Sequence, residues 1–142
     1  MNKVLIALAG LGVVMAGAPV RAHHSFAAQF DDKAPVTLKG TLSKMEWLNP
    51  HTWIYVDVKD ADGKVVTWAI EGATPNGLIR RGVRQVDFPV GIELIVYGYR
   101  AKNGKSFANG RTVSFRDGRN FFLGTSGNGP KDDAEGKSTS PY

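Results

Sequence analysis

Three histidines stand in two short motifs of this 142-residue chain. His23 and His24 are adjacent in RAHHSFAAQF, and His51 lies in WLNPHTW. Imidazole nitrogens ligate metals and carry protons. Cleavage before His23 would free an α-amine that, with the ring of the same residue, chelates one metal ion. A further imidazole completes a T-shaped set of three nitrogens, the arrangement called a histidine brace. Planar amine and imidazole donors suit copper(II). His51 is the better third ligand because a structured strand holds it; His24 can substitute or add a fourth donor where the chain bends. Pro50 restricts the backbone before His51, and Asn49 is placed to orient a ring through a hydrogen bond. Zinc held by His23, His24 and His51 with a carboxylate such as Asp31 is the alternative metal. Solvated surface histidines with no metal are the plainer reading.

The elements that must position these residues begin with a leader. Met1-Asn2-Lys3 is a short positive start, Val4 to Gly17 is an uncharged apolar run, and Val20-Arg21-Ala22 offers residues suited to a signal-peptide cut. The run is too short for a comfortable span. Residues 1–22 therefore read as a signal peptide, with a retained anchor and a cut after Ala18 as alternatives. The expected location is periplasmic or secreted, with no membrane attachment after cleavage. About 120 residues remain, enough for one domain with a modest core. The chain has no cysteine, so burial alone holds the fold, and thiol ligands and thiol chemistry are excluded. Of its 18 basic side chains, Lys3 and Arg21 precede the cut, and the rest outnumber the 13 acidic ones by three. That mild excess is not the basic stripe of a nucleic-acid binder.

Residues 23–34 read as an arm, 35–123 as the folded body, and 124–142, rich in Gly, Ser and charge, as a disordered tail. In the body, Val36, Leu38, Gly40 and Leu42 alternate with polar residues, and the apolar phase then slips to Met45 and Trp47. The slip predicts a bulge near Ser43-Lys44. Ile54, Val56 and Val58 form a second strand, KDADGK a hairpin turn, and Val66, Trp68 and Ile70 a third strand. TPNGLIRRGV predicts one short helix from a Thr74 cap to a Gly82 stop. A fourth strand contains Ile92, Leu94 and Val96; a fifth spans Arg111 to Arg116; Asn120 to Leu123 is a last apolar stub. Leu78 and Ile79 are expected to plug one end. This order predicts an all-β fold with one short helix, a five-stranded OB-fold-like Greek-key barrel, with a small open β-sandwich as the alternative.

The stretches HHSFAAQFD, VTLKGTLSKMEWLNPHTWIYVDVKDADGKVVTWAIE, TPNGLIRRGV and GYRAKNGKSFANGRTVSFRDGR together resemble a family of small exported bacterial proteins, catalogued as domain of unknown function 6152. The resemblance runs from His23 to about Phe122, and HHSF and NPH are its most specific parts. It implies an exported location and no established activity.

Other constellations are weaker. Glu46 and Glu71 form no defined carboxylate pair, and Glu71 ends a strand, where charge is ordinary. Ser25 beside His24 is no triad. GNGP and GKS lack a phosphate-loop context. Met45 reads as a core filler, and Arg80-Arg81 as a solvated face. With no cofactor fingerprint, the chain reads as a binding protein, not an enzyme. Its expected partner is a metal ion, a periplasmic protein or a small ligand. The aromatic face of strands two and three, with Trp53 and Tyr55 beside Thr67 and Glu71, is the second candidate surface, for a protein, glycan or small ligand. Packing of the arm over those rings would satisfy them without any ligand.

Overall fold

The computed structural model describes residues 26–124. The leader and the residues after Gly124 lie outside the described part, as do His23 and His24. The architecture is a mostly antiparallel six-stranded sheet with two short α-helices. In chain order these are α1 (Phe26–Gln29), β1 (Phe30–Glu46), β2 (Trp53–Lys59), β3 (Val65–Glu71), α2 (Pro75–Ile79), a 3-10 turn (Gln85–Asp87), β4 (Glu93–Ala101), β5 (Phe107–Phe115) and β6 (Asn120–Phe122). The strand order is β3-β2-β1-β4-β5-β6, and β5 also pairs with β3 in parallel.

The bulge is where the apolar phase places it. The β1–β2 register shifts between Leu42 and Lys44, and the extra residue, Ser43, turns outward and donates its hydroxyl to the Tyr55 carbonyl at 3.2 Å. Leu42 is fully buried on one side of the shift, and Met45 and Trp47 pack against the core on the other. The β2–β3 turn is closed by Asp60, whose side chain accepts from the backbone amides of Asp62 and Lys64. Gly63 takes a positive φ of 82° there, a conformation that costs a residue with a Cβ. In α2, Thr74 accepts from the Gly77 amide at 3.1 Å and Pro75 occupies the first turn, where its missing N–H costs nothing.

Several expectations need correction. The first strand starts at Phe30, within the expected arm and not near Pro35: Phe30 pairs with Ala101 of β4, and the register shifts before pairing resumes at Pro35. Phe26 to Gln29, also assigned to the arm, is helical, giving two helices where one was expected. The apolar stub at Asn120 is a sixth strand, held along β5. Ile79 is 54% exposed and plugs nothing; Leu78 fills the interior alone, since a helix this short turns one face inward.

The core is built from Leu38, Leu42, Ile54, Val56, Ile70, Leu94, Val96, Val113 and Phe115, all at expected inward positions. Phe88 and Phe121 join Phe115 in a ring cluster with centroids 5.2 to 6.3 Å apart. Val83 and Leu123 are also fully buried. Trp68, Val36 and Val58 are only half-buried against this core. The Arg100 guanidinium lies 5.4 Å from the Trp68 ring centre, so one face of that indole meets a cation instead of the interior.

Leu42→Ala should therefore cost about 2–5 kcal/mol, the range for emptying a closed core site, and Trp68→Ala roughly half as much. Urea unfolding of both variants checks this; equal losses would mean that Trp68 is a full core residue.

Candidate functional site

His51 sits just before β2, and its position follows from the hairpin register. Trp53 pairs with Glu71. Beyond the ladder the two chains stay bonded around Thr52: its amide donates to the Ala73 carbonyl at 3.0 Å and its carbonyl accepts from the Gly72 amide at 2.8 Å. The Thr52 hydroxyl also donates to the Ala73 carbonyl. A Cβ at Gly72 would meet that hydroxyl oxygen at 2.7 Å, so only glycine fits there without displacement. These constraints set the His51 ring against the end of β3.

The ring is held at one nitrogen. His51 Nδ1 lies 3.1 Å from the Gly72 carbonyl oxygen and 3.2 Å from Glu71 Oε1. A carbonyl can only accept, so Nδ1 carries a proton. In the neutral ring Nε2 then keeps its lone pair. A carbonyl or carboxylate on the far nitrogen is the arrangement that orients metal-ligating histidines. The Glu71 side chain is 12% exposed and that of His51 32%, so the carboxylate is covered while the ring reaches the surface.

Sequence reasoning left Glu71 as an ordinary strand-end charge. The signal that finds it is the register: a turn over Asp60–Lys64 puts Glu71 opposite Trp53 and diagonal to His51, within reach of a long side chain. Asn49, expected to orient the ring, is exposed, and the ring's partners are Gly72 and Glu71 instead. Among the described residues no three His, Asp or Glu side chains converge as a metal set.

The aromatic face is already occupied from within the chain. Trp53 stacks on Phe107 at 5.4 Å, Phe107 meets Phe30 edge-on at 5.0 Å, and Phe30 meets Phe26 at 5.5 Å. Phe26 in turn meets Tyr99 at 5.6 Å. This string of rings fastens α1 and the start of β1 to the β2 edge that carries His51. Phe30 is 3% exposed, although it stands in the segment read as an arm. Tyr55 is committed elsewhere: its hydroxyl donates to Glu46 Oε2 at 3.1 Å, and the Lys44 ammonium lies 5.2 Å from its ring centre. Thr67, on the same face, donates to Asp57 Oδ1 at 2.6 Å.

Lys44, and after it the Tyr55 hydroxyl, hold the Glu46 carboxyl below the usual carboxylate range. Burial, and after it the Glu46 carboxylate, push the Tyr55 phenol up. A phenol whose folded value lies above its unfolded one stabilises the fold below about pH 10, and that contribution is lost as pH rises through the folded value. Glu46→Gln should bring the Tyr55 titration down without returning it fully, because burial is the larger cause. Ring-carbon resonances of Tyr55 followed from pH 8 to 12 test this; an unchanged titration in the variant would remove Glu46 from the account.

No curated protein and no solved structure matches the chain. The sequence does match one family across residues 10–110, a span that covers β1 to β4 and the NPH motif that positions His51. The chain belongs to the family of unknown function DUF6152.

Proposed function

We propose that this is an exported binding protein, periplasmic or secreted, that takes one copper(II) ion through His51 Nε2 together with His23 and His24. The observation that carries the reading is the His51 ring, fixed through Nδ1 by Gly72 and Glu71 while its side chain stays 32% exposed. The ring string from Phe26 to Trp53 supports it. Phe26 is two residues from His24, at most about 7 Å of chain, and Trp53 is two residues from His51. After cleavage at Ala22 the His23 amine and ring would form the chelate, and nitrogen donors of this kind favour copper over zinc.

We also infer an OB-type barrel for the scaffold. The pairings β1–β2, β2–β3, β3–β5, β5–β4 and β4–β1 return to their starting strand, and α2 follows β3 as it does in that fold. The competing reading, an aromatic face for a glycan or partner protein, is weakened because Trp53 and Tyr55 already have partners within the chain.

Mass spectrometry of the exported protein should give a chain starting at His23, and that form should bind one copper(II) ion with the spectrum of planar nitrogen ligation. One residue added before His23 should weaken binding at least tenfold while leaving every side chain in place, and His51→Ala should do the same; Ser25→Ala should not. An extended form that binds as tightly as the mature one would eliminate the amine as a ligand.

A further inference from the structure

A second site lies where β1 parts from β2. The β1–β2 ladder ends at the Thr41–Asp57 pair, and β1 continues toward its start paired with β4 alone. At the parting stands Gly40, where an added Cβ would overlap the Asp57 carbonyl oxygen, so the two strands touch there before they separate. Above this point the outer face of the sheet forms a groove of about 490 Å³, with Thr41, Ile95 and Ser114 among its lining residues. That volume falls in the range of small-ligand sites, roughly 300–1,000 Å³.

The charges around the groove decide what it suits. Five ionic side chains line it. Asp57 accepts the Thr67 hydroxyl, and Glu93 pairs with Arg116 at 2.8 Å. Lys39 and Lys59 make no ion pair among the described residues. Lys39 pairs with Ile95 of β4 and Lys59 with Val65 of β3, so the two lysines line the groove from the two strands that part at Gly40. The groove is thus lined by two lysines without an ion pair, an Arg116–Glu93 pair and an Asp57 carboxylate that accepts the Thr67 hydroxyl, beside the apolar Ile95 and the hydroxyls of Thr41 and Ser114.

We propose that this groove binds a small organic oxyanion, with its charged head between Lys39 and Lys59 and its body over Ile95. Ammonium donors make charge-assisted bonds to carboxylate or phosphoryl oxygens, and the groove's three cationic side chains outnumber its two carboxylates. Of those carboxylates Glu93 is already paired with Arg116, which leaves two lysines against Asp57. A nucleic-acid chain would need a longer basic track than two lysines supply. The site is independent of the copper reading, because its residues share none with the His51 cluster.

Phenyl phosphate is a suitable probe, titrated into isotope-labelled protein at constant ionic strength with sodium chloride as the screening control. Saturable shifts centred on the amides of Thr41, Ile95 and Ser114 are expected, with inorganic phosphate reaching the same amides more weakly. Lys39→Gln and Lys59→Gln, both on exposed positions, should each weaken binding about tenfold, the scale of one charge-assisted contact. Phenyl phosphate should also raise the melting temperature of the parent protein and not that of the double variant. Shifts no larger than those from sodium chloride, binding of phenol as tight as that of phenyl phosphate, or a double variant that binds unchanged would each overturn the proposal.

Discussion

The structure depends most on a short parallel ladder between β3 and β5. Three pairs, Ala69–Phe107, Ile70–Ala108 and Glu71–Asn109, join the hairpin from the first half of the body to the last long strand. Parallel pairing cannot be made by a tight turn and needs a long connection; here that connection is α2, the 3-10 turn and β4. The ladder fixes two things at once. It seats the fully buried Ile70 and Ala108 in the core, and it carries Phe107 to Trp53 on the outside. From there the contacts with Phe30 and Phe26 follow, and with them the seat of α1.

The His51 cluster is an outcome of the same register. β-pairing moves side chains in steps of two, so a one-residue slip of β2 against β3 would put His51 and Glu71 on opposite faces. Several independent restraints prevent that slip: the bulge at Ser43, the Asp60 turn, the paired bonds at Thr52 and the absence of a Cβ at Gly72. The covered Glu71 carboxylate would cost stability if it lacked partners. Its contact with the His51 ring is part of what offsets that burial, so the restraint acts on both residues: Glu71 orients the ring, and the ring helps satisfy Glu71.

Charge is handled differently at two places on the sheet. Buried Asp87 is satisfied by the Arg84 backbone amide and by the side chains of Arg84 and Arg119, all between 2.9 and 3.3 Å, and it closes the turn before Phe88. Its role is internal. The lysines of the groove have no such partner among the described residues and sit beyond the end of the β1–β2 ladder. The same sheet therefore holds one charged cluster that completes the fold and another that leaves positive charge facing solvent.

Much of this was legible in the sequence because it depends on local periodicity. Alternation over Ile54–Val58 and Val66–Ile70, the phase slip near Ser43, the Asp60–Lys64 turn and the Thr74 cap each act over a few residues, and each predicts its element correctly. The histidines were visible by type. The start of β1 was not, because Asp31, Asp32 and Lys33 have no apolar alternation and lie in a register shift between the Phe30 and Pro35 pairings with β4. Nor was the start of β5, where Phe107-Ala108-Asn109-Gly110 has weak strand preference and is held by β3 and β4 on its two sides. Ile79 and Trp68 show the limit of reading burial from pattern, since neither the short helix nor β3 buries every apolar side chain it carries. Residue types and short spacings determined the candidate ligand His51 and the elements around it. Only the tertiary register decided that Glu71 and Gly72 hold its ring, that aromatic rings lead back from it to Phe26, and that two lysines line one groove where β1 leaves β2. Those relations join residues distant in sequence, and strand pairing alone sets which of them meet.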